Sequence, residues 1–474
     1  MLRIDFFSHT CFGLDSKSPF SKGGFRGISQ VSNAYAFIRI PPSPHFFRGD
    51  VNNYMLPLVT INPYAFMMSE ENRIKVTEKI IWFSLCGFAF FSPWSIAGAQ
   101  TAITIGLLAW LAKIFFSGRV SFVRTPLNLP IFLYVVTLVI SVIFSPFKLH
   151  SFLVLKEEWL LLVFFLIVNN IEEEVKVKKL LTILISVSTL VGLYAIWQHY
   201  SGMDLYRNRL LEPRGGVFIS LGLFDHHLTF GGYYMLVFLL ASVFLLNAKR
   251  AGVFRILDFS APIVLGFSLI FSYARSAWLG GVMGILAFGF LKGGKFILFL
   301  ILGVLVLCLL IYVIEPTSWD RIKEIDFSKN KPESTRIRLW QTSINMIKDK
   351  PIWGIGLGGW GILFDKYKVD GVYDTTCHPH NDFLNVAVNS GLLGLLAYLS
   401  IWAVFLYSTI RAVVKNRKNS FGHAVQMGGI VAIVAFLFAS LFQCYYTDAE
   451  VNMLIMFILG LTTVVNLKIK EEKP

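Results

Sequence analysis

Residues 378–394 read HPHNDFLNVAVNSGLLG, with His378, Pro379, His380 and Asn381 at the mouth of an apolar run. Polar side chains at the edge of a membrane helix are costly unless they act, and imidazole is the group that exchanges protons near neutral pH. Pro379 disfavours helix at His378 and in a helix interior, so the helix is expected to begin around His380 or Asn381. At that position the helix dipole and partial burial both oppose imidazolium, which leaves His380 neutral and able to serve as a general base. The competing reading is a structural histidine at a membrane interface. His378, on the extended side of the proline, is expected to titrate near its ordinary value. The small residues Ala387, Ser390, Gly391 and Gly394 would let a neighbouring helix approach closely and fix the histidine's position.

Arginines supply the second kind of chemistry. Arg207, Arg209 and Arg214 crowd one short loop, Arg275 stands between two apolar runs, and Arg336 and Arg338 fall at the start of a helix-like stretch, STRIRLWQTSINMIKDKP. A guanidinium fork matches phosphate or diphosphate bidentately. Ion pairing with Asp204, Glu212, Asp225, Asp320, Glu324, Asp326 or Glu333 is the alternative, and Arg336 and Arg338 could instead snorkel to the headgroups of membrane lipids. In that stretch Leu339, Trp340, Ile344, Met346 and Ile347 form a broad apolar face, Ser334 or Thr335 can cap it, and Pro351 ends it. Two arginines in its first turn are unfavourable unless an anion is present.

Other chemistries find no residues. The five cysteines show no CxxC or Cys/His spacing, which argues against zinc and disulfides. No Walker A sequence and no Asp-x-Asp pair is present to hold a metal on a nucleotide-sugar diphosphate. GIGLGG at 354–359 has the glycine spacing of a dinucleotide site, but no strand precedes it and no βαβ unit surrounds it; a tight turn is expected instead.

The elements that must position these groups are membrane helices. The chain is 55% hydrophobic and 15% charged, with 44 Phe in 474 residues, and its mean hydropathy is +0.63. That is more apolar surface than a soluble core can bury. Apolar runs of about spanning length fall near 79–95, 97–116, 127–145, 151–168, 178–199, 227–246, 257–273, 276–291, 295–314, 391–411, 424–443 and 449–467, about twelve in all. The net charge of +14 arises from Lys and Arg clusters on alternate connections, from Lys113, Arg119 and Arg124 to Arg411, Lys415, Arg417 and Lys418. Those connections are therefore expected to be cytoplasmic, and nucleic-acid binding is not indicated. The opposite face carries two notable loops, Tyr200–Gly216 and the long segment between spans nine and ten. The expected organisation is a polar segment at 1–75, with translation starting at Met67 or Met68, spans one to nine at 78–314, an external catalytic loop at 315–390, spans ten to twelve at 391–467, and a cytoplasmic tail at 468–474.

With these residues in order, a family resemblance appears. His380-Asn381, nine residues, Gly391, two residues and Gly394 resembles the motif of the O-antigen ligase and O-antigen polymerase superfamily. SYARSAW around Arg275 is similar to that family's T-x-S-R-x-x-W/F element, with Ser-Tyr-Ala in place of Thr-x-Ser. RIRLWQTSINMIKDKPIWGIGLGGW resembles its R-x-x-x-W…P-x-x-G-x-G segment, and PRGGVF at Arg214 its R-x-x-G-x-F element. The resemblance implies an all-α, GT-C type integral membrane enzyme: an inverting, metal-independent glycosyltransferase without cofactor, in the bacterial inner membrane with its active site facing the periplasm. Its donor would be a glycan on undecaprenyl diphosphate and its acceptor a hydroxyl, most often of a lipid A-core sugar. His380 would be the base, and Arg214, Arg275, Arg336 and Arg338 would bind the diphosphate. A polymerase or a protein O-oligosaccharyltransferase would use the same chemistry on a growing glycan or a Ser/Thr side chain. A lipid or glycan transporter without catalysis is a further reading, disfavoured by the absence of an internal repeat.

Overall fold

Lipid offers the backbone no hydrogen-bond partners, so an apolar chain of this kind must satisfy itself within helices. The computed structural model describes residues 69–471 apart from 121, 248–252, most of 297–311, 314–331, 372–377 and 416–420. The polar segment before residue 69, its expected start codons, most of span nine, and Asp320, Glu324 and Asp326 lie outside the described residues.

The protein is a mostly helical membrane protein. α1 (Glu70–Phe91) and α2 (Ile96–Ser117) form a hairpin across Ser92–Ser95, where Ser95 accepts the Gly98 N–H at 3.1 Å and caps α2. α3 (Asn128–Phe144) follows. The expected fourth span is not one helix: it is α4 (Lys148–Leu155), a 3-10 turn (Lys156–Leu161) and α5 (Leu162–Val168). Apolar periodicity could not show this, because a 3-10 turn preserves the run of apolar residues while tightening the backbone. Then come α6 (Glu174–Ser201), two small hairpins, β1 (Met203–Asp204) with β2 (Arg209–Leu210) and β3 (Pro213–Arg214) with β4 (Val217–Phe218), and α7 (His227–Asn247), α8 (Val253–Phe271) and α9 (Arg275–Lys292). The long loop contributes α10 (Pro332–Asp349) and α11 (Gly359–Tyr367); α12 (Asp382–Lys415), α13 (Phe421–Ala439) and α14 (Ala449–Glu471) complete the chain.

Among the described residues, six helices are long and apolar enough to cross a membrane: α2, α6, α7, α12, α13 and α14. Their surroundings differ. The apolar stretches of α7, α13 and α14 are 72%, 72% and 83% buried within the protein, against 33% for α2 and α12. The first three therefore form the interior, and the others turn their side chains, such as Phe115 and Leu396, outward to lipid.

α10 departs from expectation at its start. It begins at Pro332, a residue preadapted to the first helical position, which places Ser334 and Thr335 inside the helix. Arg336 and Arg338 consequently lie beyond the first turn, where the dipole acts on them less. Its buried face is Leu339, Thr342, Ser343 and Met346, which joins Ile355, Trp360 and Val388 in a small second core, while Ile344 is exposed.

Candidate active site

Asn381 and Asp382 build the frame of the site. Asn381 is the cap of α12: its Oδ1 accepts the Leu384 N–H at 2.9 Å, and its Nδ2 donates to the Leu441 carbonyl at 3.0 Å. The buried Asp382 carboxylate accepts the Ser440 hydroxyl at 2.7 Å and the Tyr445 and Tyr446 N–H groups, each at 3.0 Å. These bonds tie the turn at 440–448, between α13 and α14, to the first residues of α12. The helix thus begins one residue later than the proline rule suggests, and His380 stands just outside it with φ 50°, a left-handed conformation that costs a non-glycine residue free energy.

His380 is held from three sides. Its Nδ1 lies 2.6 Å from Gln443 Oε1, and the carbonyl of Pro379 accepts the Trp340 Nε1–H of α10 at 3.1 Å. Its own N–H donates to His378 Nδ1 at 3.3 Å, and the two imidazoles meet edge to face at 4.5 Å. His378 is therefore not the solvated loop histidine that the sequence suggested. One edge meets solvent, yet removal from water, followed by the charges of His380, His226 and Arg336, pushes it down to about 3. His226, just ahead of α7, is also lowered by burial, with Glu212 opposing.

The arginines divide. Arg275 opens α9 after the turn Ser272–Ala274, in which Tyr273 has φ 53°; this turn fits against α7 because Gly231 has no Cβ to meet Ala274 and Ser272. The next residue, Ser276, bonds the Tyr445 hydroxyl at 2.9 Å, so the start of α9 is fastened to the turn that carries Gln443. The positive charge of Arg336 acts on both His378 and Tyr445. Arg338, two residues on, turns to another face of α10 and packs its guanidinium end where a Cβ on Gly371 would sit, 2.6 Å away. Arg214 is half-buried on the second hairpin, opposite Val217 across the Gly215–Gly216 turn. Arg207 and Arg209 are internal ion pairs: Arg207 with Asp225 at 2.8 Å, and both with the buried Asp204 at 3.4 Å.

Gly391 explains the spacing of the motif. Residues 382–390 form a short helix of about two and a half turns, broken at Gly391 with φ 70° and ψ −174°. The chain at 351–355 crosses this break. Leu392 N–H donates to the Pro351 carbonyl at 2.7 Å and Ile355 N–H to the Val388 carbonyl at 2.9 Å. Gly391 is thus a chain crossing and not part of a smooth helix face. Gly394 makes room for the Ser390 side chain one turn back. The GIGLGG segment is the expected turn, with Gly354, Gly356 and Gly358 all at positive φ, wrapped on Ser145, His150 and Ser151.

Residues 260–399 match the family model described as O-antigen ligase. That segment is similar to the O-antigen ligase family. No curated protein matches it. The O-antigen ligase segment contains Arg275, Arg336, Arg338, His380, Asn381, Gly391 and Gly394, whereas Arg214 and the 440–448 turn lie outside it. That turn is what the sequence reading missed in this O-antigen ligase relative. Gln443 was counted as the last residue of span eleven; the available signal was the polar run of Gln443, Thr447, Asp448 and Glu450 between two apolar helices. Asp448 accepts the Thr229 hydroxyl at 3.0 Å, and burial holds its carboxyl well above the ordinary range. Among the described residues no group of three or more His, Cys, Asp or Glu side chains is arranged to hold a metal ion.

Proposed function

We propose that the protein transfers a glycan from undecaprenyl diphosphate to an acceptor hydroxyl, most simply that of a lipid A-core sugar, with inversion at C1 and without a metal or cofactor. His380 takes the acceptor proton as the hydroxyl oxygen attacks C1. The bond from C1 to the phosphate oxygen breaks, and the leaving diphosphate keeps its electron pair. Arg275 and Arg336 stabilise the charge that develops there, with Arg214 entering from the hairpin loop and Arg338 holding the Gly371 side of α10. The glycosyl diphosphate stores the energy, so the reaction needs no nucleotide. In this reading the chain has about twelve spans in the inner membrane, and the cluster faces the periplasm, opposite the Lys/Arg-rich connections. A polymerase or a protein O-oligosaccharyltransferase would share the site and differ in the acceptor.

The observation that carries this reading is that His380 and the Arg275 end of α9 are both bonded to one turn, at Gln443 and Tyr445, although they come from separate parts of the chain. The test compares His380→Asn with His378→Asn in reconstituted transfer with an undecaprenyl-diphosphate glycan, because asparagine tolerates positive φ and spares the backbone. His380→Asn should lower turnover by about 10²–10⁴-fold with donor binding kept, and His378→Asn should cost far less. A dead His378→Asn with an active His380→Asn would reverse the assignment.

A further inference from the structure

We infer that the groove between the ends of α12 and α14 binds an anionic glycerophospholipid by its phosphate, on the Lys/Arg-rich side of the membrane. The groove has a volume of about 590 Å³, and Arg411 and Lys415 of α12 are part of its lining. Among the described residues that line it, none is acidic. The positive charge of Lys468 on α14 acts on Glu173, whereas the lining of the groove offers Arg411 and Lys415 no such counter-charge. Arg411 and Lys415 stand one helical turn apart, where like charges repel. An anion between them removes that cost, and a phosphate matches both cations.

Depth in the membrane makes the anion a lipid. From the break at Gly391 to its end at Lys415, α12 rises about 36 Å at 1.5 Å per residue, against about 30 Å of hydrocarbon. Its last turns therefore reach the headgroup layer. Val404, Ser408, Arg411 and Lys415 follow one another at spacings of three and four along one face, and the exposed Leu396 continues that face towards the membrane interior. A phospholipid laid along it places acyl chain on Val404 and Leu396 and phosphate at the two cations. The exposed Tyr407 borders the groove, an aromatic of the kind that settles at the membrane interface. The groove is built without the lipid. Asn466, in its lining, bonds Gln426 of α13 at 2.9 Å and Thr409 of α12 at 3.0 Å, which ties three helices together beneath the groove. Basic pockets between helices on this side of a membrane suit acidic headgroups.

The test is the melting temperature of the purified full chain in a nonionic detergent, titrated with dioleoylphosphatidylglycerol, dioleoylphosphatidylcholine or inorganic phosphate. A ligand of the folded state raises the melting temperature in proportion to its occupancy. Phosphatidylglycerol should raise it saturably, while phosphatidylcholine and inorganic phosphate should leave it unchanged. Each cation removed should weaken the lipid by about fivefold, so Arg411→Gln with Lys415→Gln should shift the half-saturating concentration about 25-fold. Lys75→Gln with Lys79→Gln removes the same charge from the start of α1 and should bind like the parent. An equal response to phosphatidylcholine would reduce the groove to apolar filling, and an equal response to inorganic phosphate would make it a free-ion site. A matching loss in the α1 variant would assign the effect to diffuse surface charge; each of these three results overturns the inference, as does no response to phosphatidylglycerol. If the double variant fails to fold, Lys415→Gln alone decides, by its fivefold shift; if neither folds, the cations belong to the structural frame and the inference is wrong.

Discussion

Replacing Gly391 by alanine tests the chain crossing that shapes the first turns of α12. The backbone there has φ 70° and ψ −174°, a region open in practice to glycine alone, and a residue with a Cβ pays about 1–3 kcal/mol to remain in it. Space is short as well. An ideal Cβ would collide with the Ile352 carbonyl oxygen and lie 2.7 Å from Trp353 N, both of them backbone atoms that cannot rotate aside. Reaching an ordinary carbon–oxygen contact requires the two chains to part by about 1 Å. That separation stretches the 2.7 Å bond from Leu392 to Pro351, worth about 1 kcal/mol. The sum is about 2–4 kcal/mol, which for a chain of this size corresponds to a fall of roughly 2–4 °C in melting temperature. The assay is the melting temperature of purified protein in one detergent, with transfer activity measured in parallel. Gly361→Ala is the control: it lies within α11 with nothing within 4 Å of the new methyl, and should be neutral or slightly stabilising. A Gly391→Ala protein melting within about 1 °C of the parent would refute the crossing as drawn.

Three further outcomes are expected. Because the folded protein holds His378 at about 3 against about 6.5 when unfolded, the unfolded chain binds the extra proton as pH falls below the higher value. Its contribution to stability is complete above that value and is lost progressively towards the lower one. His378→Gln should therefore flatten the acid-side loss of melting temperature in that window; an unchanged slope would show that the imidazole is not shielded. Arg275→Lys should be nearly as damaging to turnover as Arg275→Ala, since lysine keeps the charge and loses the bidentate fork, and near-parental turnover would demote the residue to a structural charge. Transfer should survive EDTA; a loss restored by Mg²⁺ or Mn²⁺ would assign the diphosphate to a metal.

Some of the site was legible in the sequence because lipid makes polarity conspicuous. A histidine at the mouth of an apolar run and an arginine between two of them stand out against a solvent that penalises both, so His380 and Arg275 could be named from position alone. The apolar runs themselves announced the helices, since each is a local property of about twenty residues. Arg207 and Arg209 could not be told from Arg214 in this way. Ion pairing depends on where Asp204 and Asp225 come to lie.

Composition and charge placement by themselves determined that this is a helical membrane protein, and the order of its motifs gave the resemblance to the O-antigen ligase superfamily that singles out His380 and the outlying arginines. These are one-dimensional signals, carried by neighbours in the chain. The tertiary structure alone decided that Asp382 grips the turn at 440–448, that Gln443 meets His380, that His378 is mostly withdrawn from water, and that Gly391 is a crossing. Each depends on atoms far apart in sequence brought within about 3 Å, the range at which hydrogen bonds and steric exclusion act, and no local pattern of residues records which distant segment will arrive there.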